Sequence, residues 1–267
     1  MREISIEENK QIQLGILKNF ITFCEQNRLT YFIAYGTLIG AIRHQGFIPW
    51  DDDIDIQMPR ADYEKLIDSF NQQQTSNQFF LVSPYDKKAI HSYVKIIDLR
   101  TVKIERGVRY KNDFLGIDID VFPLDALPDT QIEYDRYYRK IQKIYKKFAY
   151  SKTEFAGTGL KNFILRLYQW LIMDGRCFIK KADSERKKYS YETAKFVGTL
   201  TSFYDYYNDR HKKEAYEGGV LVPFEGIQVN APIGYDCILR KIYGDYQKLP
   251  PVEERETHHS YSAFWKD

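Results

Sequence analysis

Two stretches of the chain alternate aspartate with aliphatic residues, and few folds tolerate that pattern. DDDIDI occupies 51–56 and GIDIDV occupies 116–121. Successive side chains of an extended strand point to opposite faces, so Asp53 and Asp55 share one face while Ile54 and Ile56 share the other. The second stretch sets Asp118 and Asp120 against Ile117, Ile119 and Val121 in the same way. The aliphatic face demands a core, and burying it holds the carboxylates about 6–7 Å apart along each strand. Ionised carboxylates so placed repel each other, more so where water is excluded, and a cation between them relieves the conflict. An all-oxygen set of this kind suits a hard divalent ion, Mg2+ above all, and two ions about 3.5–4 Å apart would clamp a phosphoryl group.

Other readings of the acidic run are weaker. An EF-hand loop beginning at Asp51 needs Gly at its sixth position, where Ile56 stands, and Pro59 would interrupt it. A glycosyltransferase D-x-D motif holding a sugar nucleotide through a metal is chemically closer. A solvated acidic loop would not alternate with isoleucine. Upstream, YFIA at 31–34 reads as a short strand broken by Gly36-Thr37 before the helix-compatible LIGAIR. A strand, a Gly-Thr turn, a short helix and then h-D-h-D is the arrangement of nucleotidyltransferase-fold enzymes, in which a helix N-terminus meets nucleotide phosphates.

Ser5 to Glu8 spells a capping box, and Ile12, Ile16, Phe20 and Cys24 line one face of a helix over 5–27. A helix is expected over 60–71 and strands over 79–82, 92–97, 101–105 and 116–121, with Pro123 and Pro128 closing this part. Helical patterns follow over 131–150 and 160–190, then strand and loop around 220–230 and a helix near 234–243. The predicted class is α+β: a nucleotidyltransferase-like mixed sheet lobe at 1–130, a helical basic region at 131–215, and a C-terminal segment at 216–267 completing the site. Between 136 and 188 there are 15 Lys or Arg against 4 Asp or Glu, a local +11, which leaves −9 for the rest of a chain of net +2. That basic middle reads either as a solvated helical face or as a surface for anionic lipid or a polyanionic acceptor. The three cysteines have no metal-binding or paired spacing, which points to a reducing compartment. The N-terminus lacks a signal-peptide pattern, and the longest apolar stretch, LKNFILRLYQWLIM, is shorter than a membrane span.

GTLIGAIRHQGFIPWDDDIDIQMPRADYEKL at 36–66, IDVFPLDALP at 119–128 and YGDYQKLPPVEERETHH at 243–259 together resemble the LicD family of phosphotransferases, to which fukutin-type proteins are also similar. The resemblance implies a nucleotidyltransferase-like fold, Mg2+ dependence with one or two ions (Mn2+ as the alternative), and transfer of phosphocholine or a similar substituted phosphate from CDP-choline or another CDP-linked donor. The acceptor it implies is a lipid-linked anionic glycan of teichoic acid or lipo-oligosaccharide type, with CMP released and no nucleic-acid partner. With the cysteines and the N-terminus already pointing to a reducing compartment, and the basic segment 136–188 suited to such an acceptor, the expected location is the cytoplasm, peripheral at the inner face of an anionic membrane. By position, Asp53, Asp55 and Asp120 become metal ligands and catalytic residues, Asp118 the rival for the third place, and Gly36 and Thr37 neighbours of the donor phosphates.

Arg43 reads as a fork onto a phosphate or as a salt-bridge partner of an aspartate, His44 as a loop clamp near Trp50, and Lys95 as a strand lysine able to reach a diphosphate. His258 and His259 fall in the tail signature without zinc-binding partners. A quaternary ammonium is recognised by aromatic faces, for which Trp50, Tyr35, Tyr243 and Tyr246 are candidates. The alternatives are a metal-dependent glycosyltransferase using a sugar nucleotide and a non-catalytic metal-dependent glycan-binding module.

Overall fold

The computed structural model describes residues 1–74, 77–87, 89–105, 107, 115–155, 159–172, 175–201, 207–255 and 261–266. The order is α1 (Ile6–Asn27), β1 (Phe32–Ile33), α2 (Tyr35–His44), β2 (Asp55–Pro59), α3 (Arg60–Gln73), β3 (Phe79–Val82), β4 (Val94–Asp98), β5 (Thr101–Glu105) and β6 (Asp118–Leu127). There follow α4 (Gln131–Lys152), α5 (Leu160–Ile172), α6 (Arg176–Arg186), β7 (Phe196–Gly198), β8 (His211–Lys212), β9 (Gly219–Phe224), β10 (Ile227–Pro232), α7 (Tyr235–Tyr243) and β11 (Tyr261–Trp265). The chain is α+β.

A mixed sheet runs β1-β2-β6-β4-β3, and β7 pairs with β6 and carries β8. Strands β2 and β6 are parallel, and the other pairs of the sheet are antiparallel. The aliphatic half of each acidic stretch goes into the core as the alternation requires: Ile54, Ile56, Ile117, Ile119 and Val121 are all essentially inaccessible. They pack with Ile16, Leu17 and Phe20 of α1 and with Leu66 and Phe70 of α3. The capping box at the start of α1 is formed, with Glu8 N donating to Ser5 Oγ and Ser5 N donating to Glu8 Oε2.

Five elements differ from the sequence expectation, two of them the short strands β7 and β8, which pair with β6 and with each other inside the stretch 131–215 expected to be helical. β6 does not stop before Pro123 but runs through it to Leu127. Proline is tolerated because the antiparallel partner on that side changes there: β4 pairs as far as Val121 and β7 begins at Asp125. The predicted helix over 160–190 is two helices, divided at Gly175, whose φ of +73° suits glycine. Finally, β11 returns from the C-terminal tail to pair with β5, a long-range contact that local pattern does not announce.

Helices α4 and α6 enclose a second apolar cluster built on Tyr134, Ile141, Tyr145, Phe148 and Ile179. The segment from β9 to α7 returns to the first core through Phe224, Val229 and Leu239. A buried ionic group joins α3, β6 and α6: Arg60 donates twice to Asp125, at 2.6 Å each, and Arg186 Nε lies 3.4 Å from the same carboxylate.

Candidate active site

Strand register sets the site. Asp55 of β2 is the direct partner of Asp120 on β6, and Asp120 is in turn the partner of Lys95 on β4. Residues opposite each other in a ladder share a face, so two carboxylates and an ammonium stand in one row across three strands. The Asp55 backbone is fixed at both poles: its N–H donates to Thr37 Oγ1 at 2.8 Å, and its carbonyl accepts from Ala34 N at 2.9 Å. Both partners sit at the start of α2, so the strand carrying the aspartates is tied to that helix N-terminus.

Electrostatics along the row are uneven. Burial, and then the charges of Asp53, Asp120 and Asp51, push the Asp55 carboxyl well above the usual carboxylate range, with Lys95 opposing. Burial would strip the Lys95 ammonium, yet Asp118 and Asp120 hold its proton affinity well above normal. Its Nζ lies 2.5 Å from Asp120 Oδ1 and 3.3 Å from Asp118 Oδ2. Burial likewise works against the Asp118 charge, but Lys103, at 3.0 Å, and Lys95 keep that carboxyl below its ordinary value. The chain of charges continues to Glu105, which His91 approaches at 3.3 Å.

The row opens into a cavity of about 1290 Å³. Ligand pockets typically enclose about 300–1,000 Å³, so this one has room for two substrates. Asp51, Asp53, Asp55 and Asp120 form part of its lining, with Tyr35 and Gly36 at the N-terminus of α2, Trp50 and Arg43 beside them, and the tail from 245 to 254 along the rim. A Cβ at Gly36 would stand 2.5 Å from Asp51 Oδ2, so any side chain there displaces that carboxylate from its place in the lining. Tyr35 takes a left-handed φ of +46°, uncommon for a residue with a side chain. Its hydroxyl anchors it, donating to Asp209 Oδ2 at 2.5 Å and accepting from Gln57 Nε2 at 3.2 Å.

The other residues singled out in the sequence fall as follows. Thr37 is buried and turned inward, so its hydroxyl serves Asp55 rather than the cavity. Lys95 is likewise buried and spent on Asp118 and Asp120, away from the lining. Asp118 also stays off the lining, behind Lys103. Arg43 donates to the carbonyls of Tyr246, at 2.7 Å, and Lys248, at 3.5 Å, and through Nε to His44 at 2.9 Å. It thus joins the first signature to the tail. His44 meets Trp50 edge to face, with centroids 6.4 Å apart, and Arg255 covers Trp50 at 5.5 Å. Tyr243 and Tyr246 both touch the cavity, the Tyr246 hydroxyl donating to Asp236. His258 and His259 lie outside the described residues.

Sequence reasoning passed over Asp51, Tyr93 and Phe122, all of which line the cavity. The period of two held the clue to the last two: Phe122 stands two residues beyond Asp120 and Tyr93 two before Lys95, on the same face. Their rings touch at 4.5 Å, and Tyr35 meets Phe122 edge-on at 5.7 Å, giving an aromatic wall next to the carboxylate row.

A family model described as "LicD/FKTN/FKRP, nucleotidyltransferase domain" matches residues 28–161, which contain the whole carboxylate row. Over 99% of its length, and 99% of the relative's, the chain is 30% identical to the lipopolysaccharide cholinephosphotransferase LicD of Haemophilus influenzae. The chain belongs to the LicD family. Shorter likenesses link this LicD-family chain to an uncharacterized protein of Rickettsia typhi, 36% identical over 27% of the chain and 25% of that protein. Another links it to mannosyltransferase regulator 4 of Saccharomyces cerevisiae, 28% identical over 44% of the chain and 10% of the yeast protein.

In kind, the donor set of this LicD-family site fits a hard divalent cation: carboxylates alone, two of them side by side across paired strands and mutually repulsive. In the side-chain positions described, no three His, Cys, Asp or Glu residues surround one point closely enough to hold an ion.

Proposed function

We propose that this protein transfers phosphocholine, or a closely similar substituted phosphate, from a CDP-linked donor such as CDP-choline to a hydroxyl of a cell-surface glycan precursor, releasing CMP. The observation that carries the reading is the register that sets Asp55 beside Asp120, with Asp53 two residues away, inside a cavity that opens at the N-terminus of α2. The near full-length likeness to a lipopolysaccharide cholinephosphotransferase supports the reaction class, and the family model's description supports a nucleotidyltransferase-like core at the N-terminal side.

Asp53, Asp55 and Asp120 would hold Mg2+, one ion or two, with Mn2+ as a substitute. Bound there, the metal supplies a counter-charge to the donor's diphosphate. The protein's own groups do the rest. Lys95 fixes the orientation of Asp120 by its 2.5 Å contact. Gly36 lets the start of α2 approach without a side chain, so that its backbone N–H groups and dipole favour an anion. An acceptor hydroxyl attacks phosphorus in line with the bridging oxygen. The new P–O bond forms as the bond to CMP breaks, CMP leaves with the bonding pair, and a carboxylate of Asp53 or Asp120 takes the hydroxyl proton. The wall of Tyr35, Tyr93 and Phe122 would face the choline ammonium, since such a cation offers no N–H and is held by ring faces at roughly 0.5–2 kcal/mol each. Arg43, by gripping the carbonyls of Tyr246 and Lys248, keeps the tail closed over the site.

The test is release of CMP from CDP-choline in the presence of Mg2+ and an acceptor glycan, run beside UDP-sugars. Turnover of CDP-choline alone, stopped by chelation and abolished in Asp53→Asn with the fold intact, is expected. Near-normal turnover by Asp53→Asn defeats the assignment, and turnover of a UDP-sugar instead makes the protein a glycosyltransferase.

A further inference from the structure

Helix α5 is inside out. The one residue it buries is Gln169, whose amide donates to the carbonyls of Tyr150 and Thr153 at the C-terminal end of α4. Arg166 reinforces this seating by donating to the Phe155 carbonyl. The apolar residues Leu160, Phe163, Ile164, Leu167, Trp170 and Leu171 instead stand in solvent, each between 50% and 76% exposed. Their spacing of three and four places them in one continuous stripe. An exposed apolar face of this extent marks a contact surface.

We infer that α5 lies in the plane of an anionic bilayer, with this stripe in the acyl boundary and Lys161 at the headgroups beside it. At 1.5 Å per residue its 13 residues cover about 20 Å, short of the ~30 Å hydrocarbon core, so the helix lies along the surface and does not cross it. Charge complementarity selects lipid as the occupant. At 100° per residue Lys161 flanks the stripe, where a long basic side chain reaches headgroup phosphates while its stem stays with the apolar face. The surrounding region, 136–188, carries the local +11. Trp170 adds an aromatic suited to the interface.

The placement relates to the cavity. Phe148 and Ala149 of α4 line it, and the carbonyl of the next residue, Tyr150, receives Gln169. A bilayer under α5 would therefore lie close to one end of the cavity, where an acceptor carried on a lipid would arrive.

The experiment uses the full chain without nucleotide, so it is independent of the proposed reaction. Cosedimentation is measured with phosphatidylcholine vesicles containing about 30 mol % phosphatidylglycerol, with pure phosphatidylcholine alongside. Binding to the anionic vesicles is expected, at least about tenfold weaker on the neutral ones. The pair Phe163→Ser and Leu167→Ser should lower partitioning about tenfold with an unchanged melting temperature, because neither side chain packs on the core. Trp170→Ser alone should lower it about threefold or more. Absence of vesicle binding by the wild type, or equal binding by these variants, overturns the inference. So does sedimentation equilibrium showing a wild-type dimer that the double substitution converts to monomer.

Discussion

Replacing Lys95 by methionine tests whether the strand register creates the charge problem described above. The substitution keeps length and apolar stem and removes only the ammonium. Lys95 is 5% exposed, 2.5 Å from Asp120 and 3.3 Å from Asp118. At an effective dielectric of ~20 the attraction to Asp120 alone is about 7 kcal/mol, most of which desolvation of the partners cancels. Removing one member of a buried pair costs about 3–5 kcal/mol, because the remaining charge has lost its counter-ion. Asp118 keeps Lys103 at 3.0 Å, so the loss falls mainly on Asp120 and the lower end, about 3 kcal/mol, applies. For a chain of this size that is roughly 6–12 °C in Tm. Urea unfolding with a metal chelator present reads the free energy directly, and an unchanged m-value confirms that the native fold is the starting point. A loss below about 1 kcal/mol would refute the reasoning, since the carboxylates would then be stable side by side without the lysine.

Two further outcomes are expected. Gly36→Ala forces a Cβ to within 2.5 Å of Asp51 Oδ2, so that Asp51 must move; the helix itself accepts alanine readily, and donor KM should rise about tenfold with stability changed by less than about 1 kcal/mol. An unaltered KM would remove Gly36 from the donor site. For Glu105, burial works against the charge, but the hydrogen bond and charge of His91, with Lys95 and Lys103, hold the carboxyl well below its ordinary 4.5. Its folded-state value being depressed, the stability it contributes is present above the unfolded value and is lost as pH falls through the folded one. Glu105→Gln should therefore be less stable near neutral pH, with the gap to wild type closing between about pH 5 and pH 2 in denaturation curves. A gap that stays constant with pH would contradict the assignment.

How much was legible depended on the range of the interaction. The capping box at Ser5 to Glu8 and the four-residue spacing behind it set α1 to within a residue, because both are contacts within one turn. The alternation of Asp with Ile and Val placed five aliphatic side chains in the core before any fold was known. The break at Gly175 was missed, since an apolar and basic pattern continues on both sides of it. The extension of β6 through Pro123 was missed as well, because whether a missing N–H matters depends on which strand lies alongside.

By itself the sequence determined which side of each strand turns to the core and that carboxylates must gather on the other, because a period of two is a property of the extended backbone. It could not determine which carboxylates meet. That came from the parallel pairing of β2 with β6 and the antiparallel pairing of β6 with β4, which bring Asp55, Asp120 and Lys95 into one row from positions up to 65 residues apart. The same division governs α5: periodicity alone makes it an amphipathic helix whose apolar side should be buried. Only tertiary structure decided that this side turns outward: the opposite side meets α4, where Gln169 donates to the carbonyls of Tyr150 and Thr153, and which face of a helix meets a neighbour depends on long-range placement that periodicity does not carry.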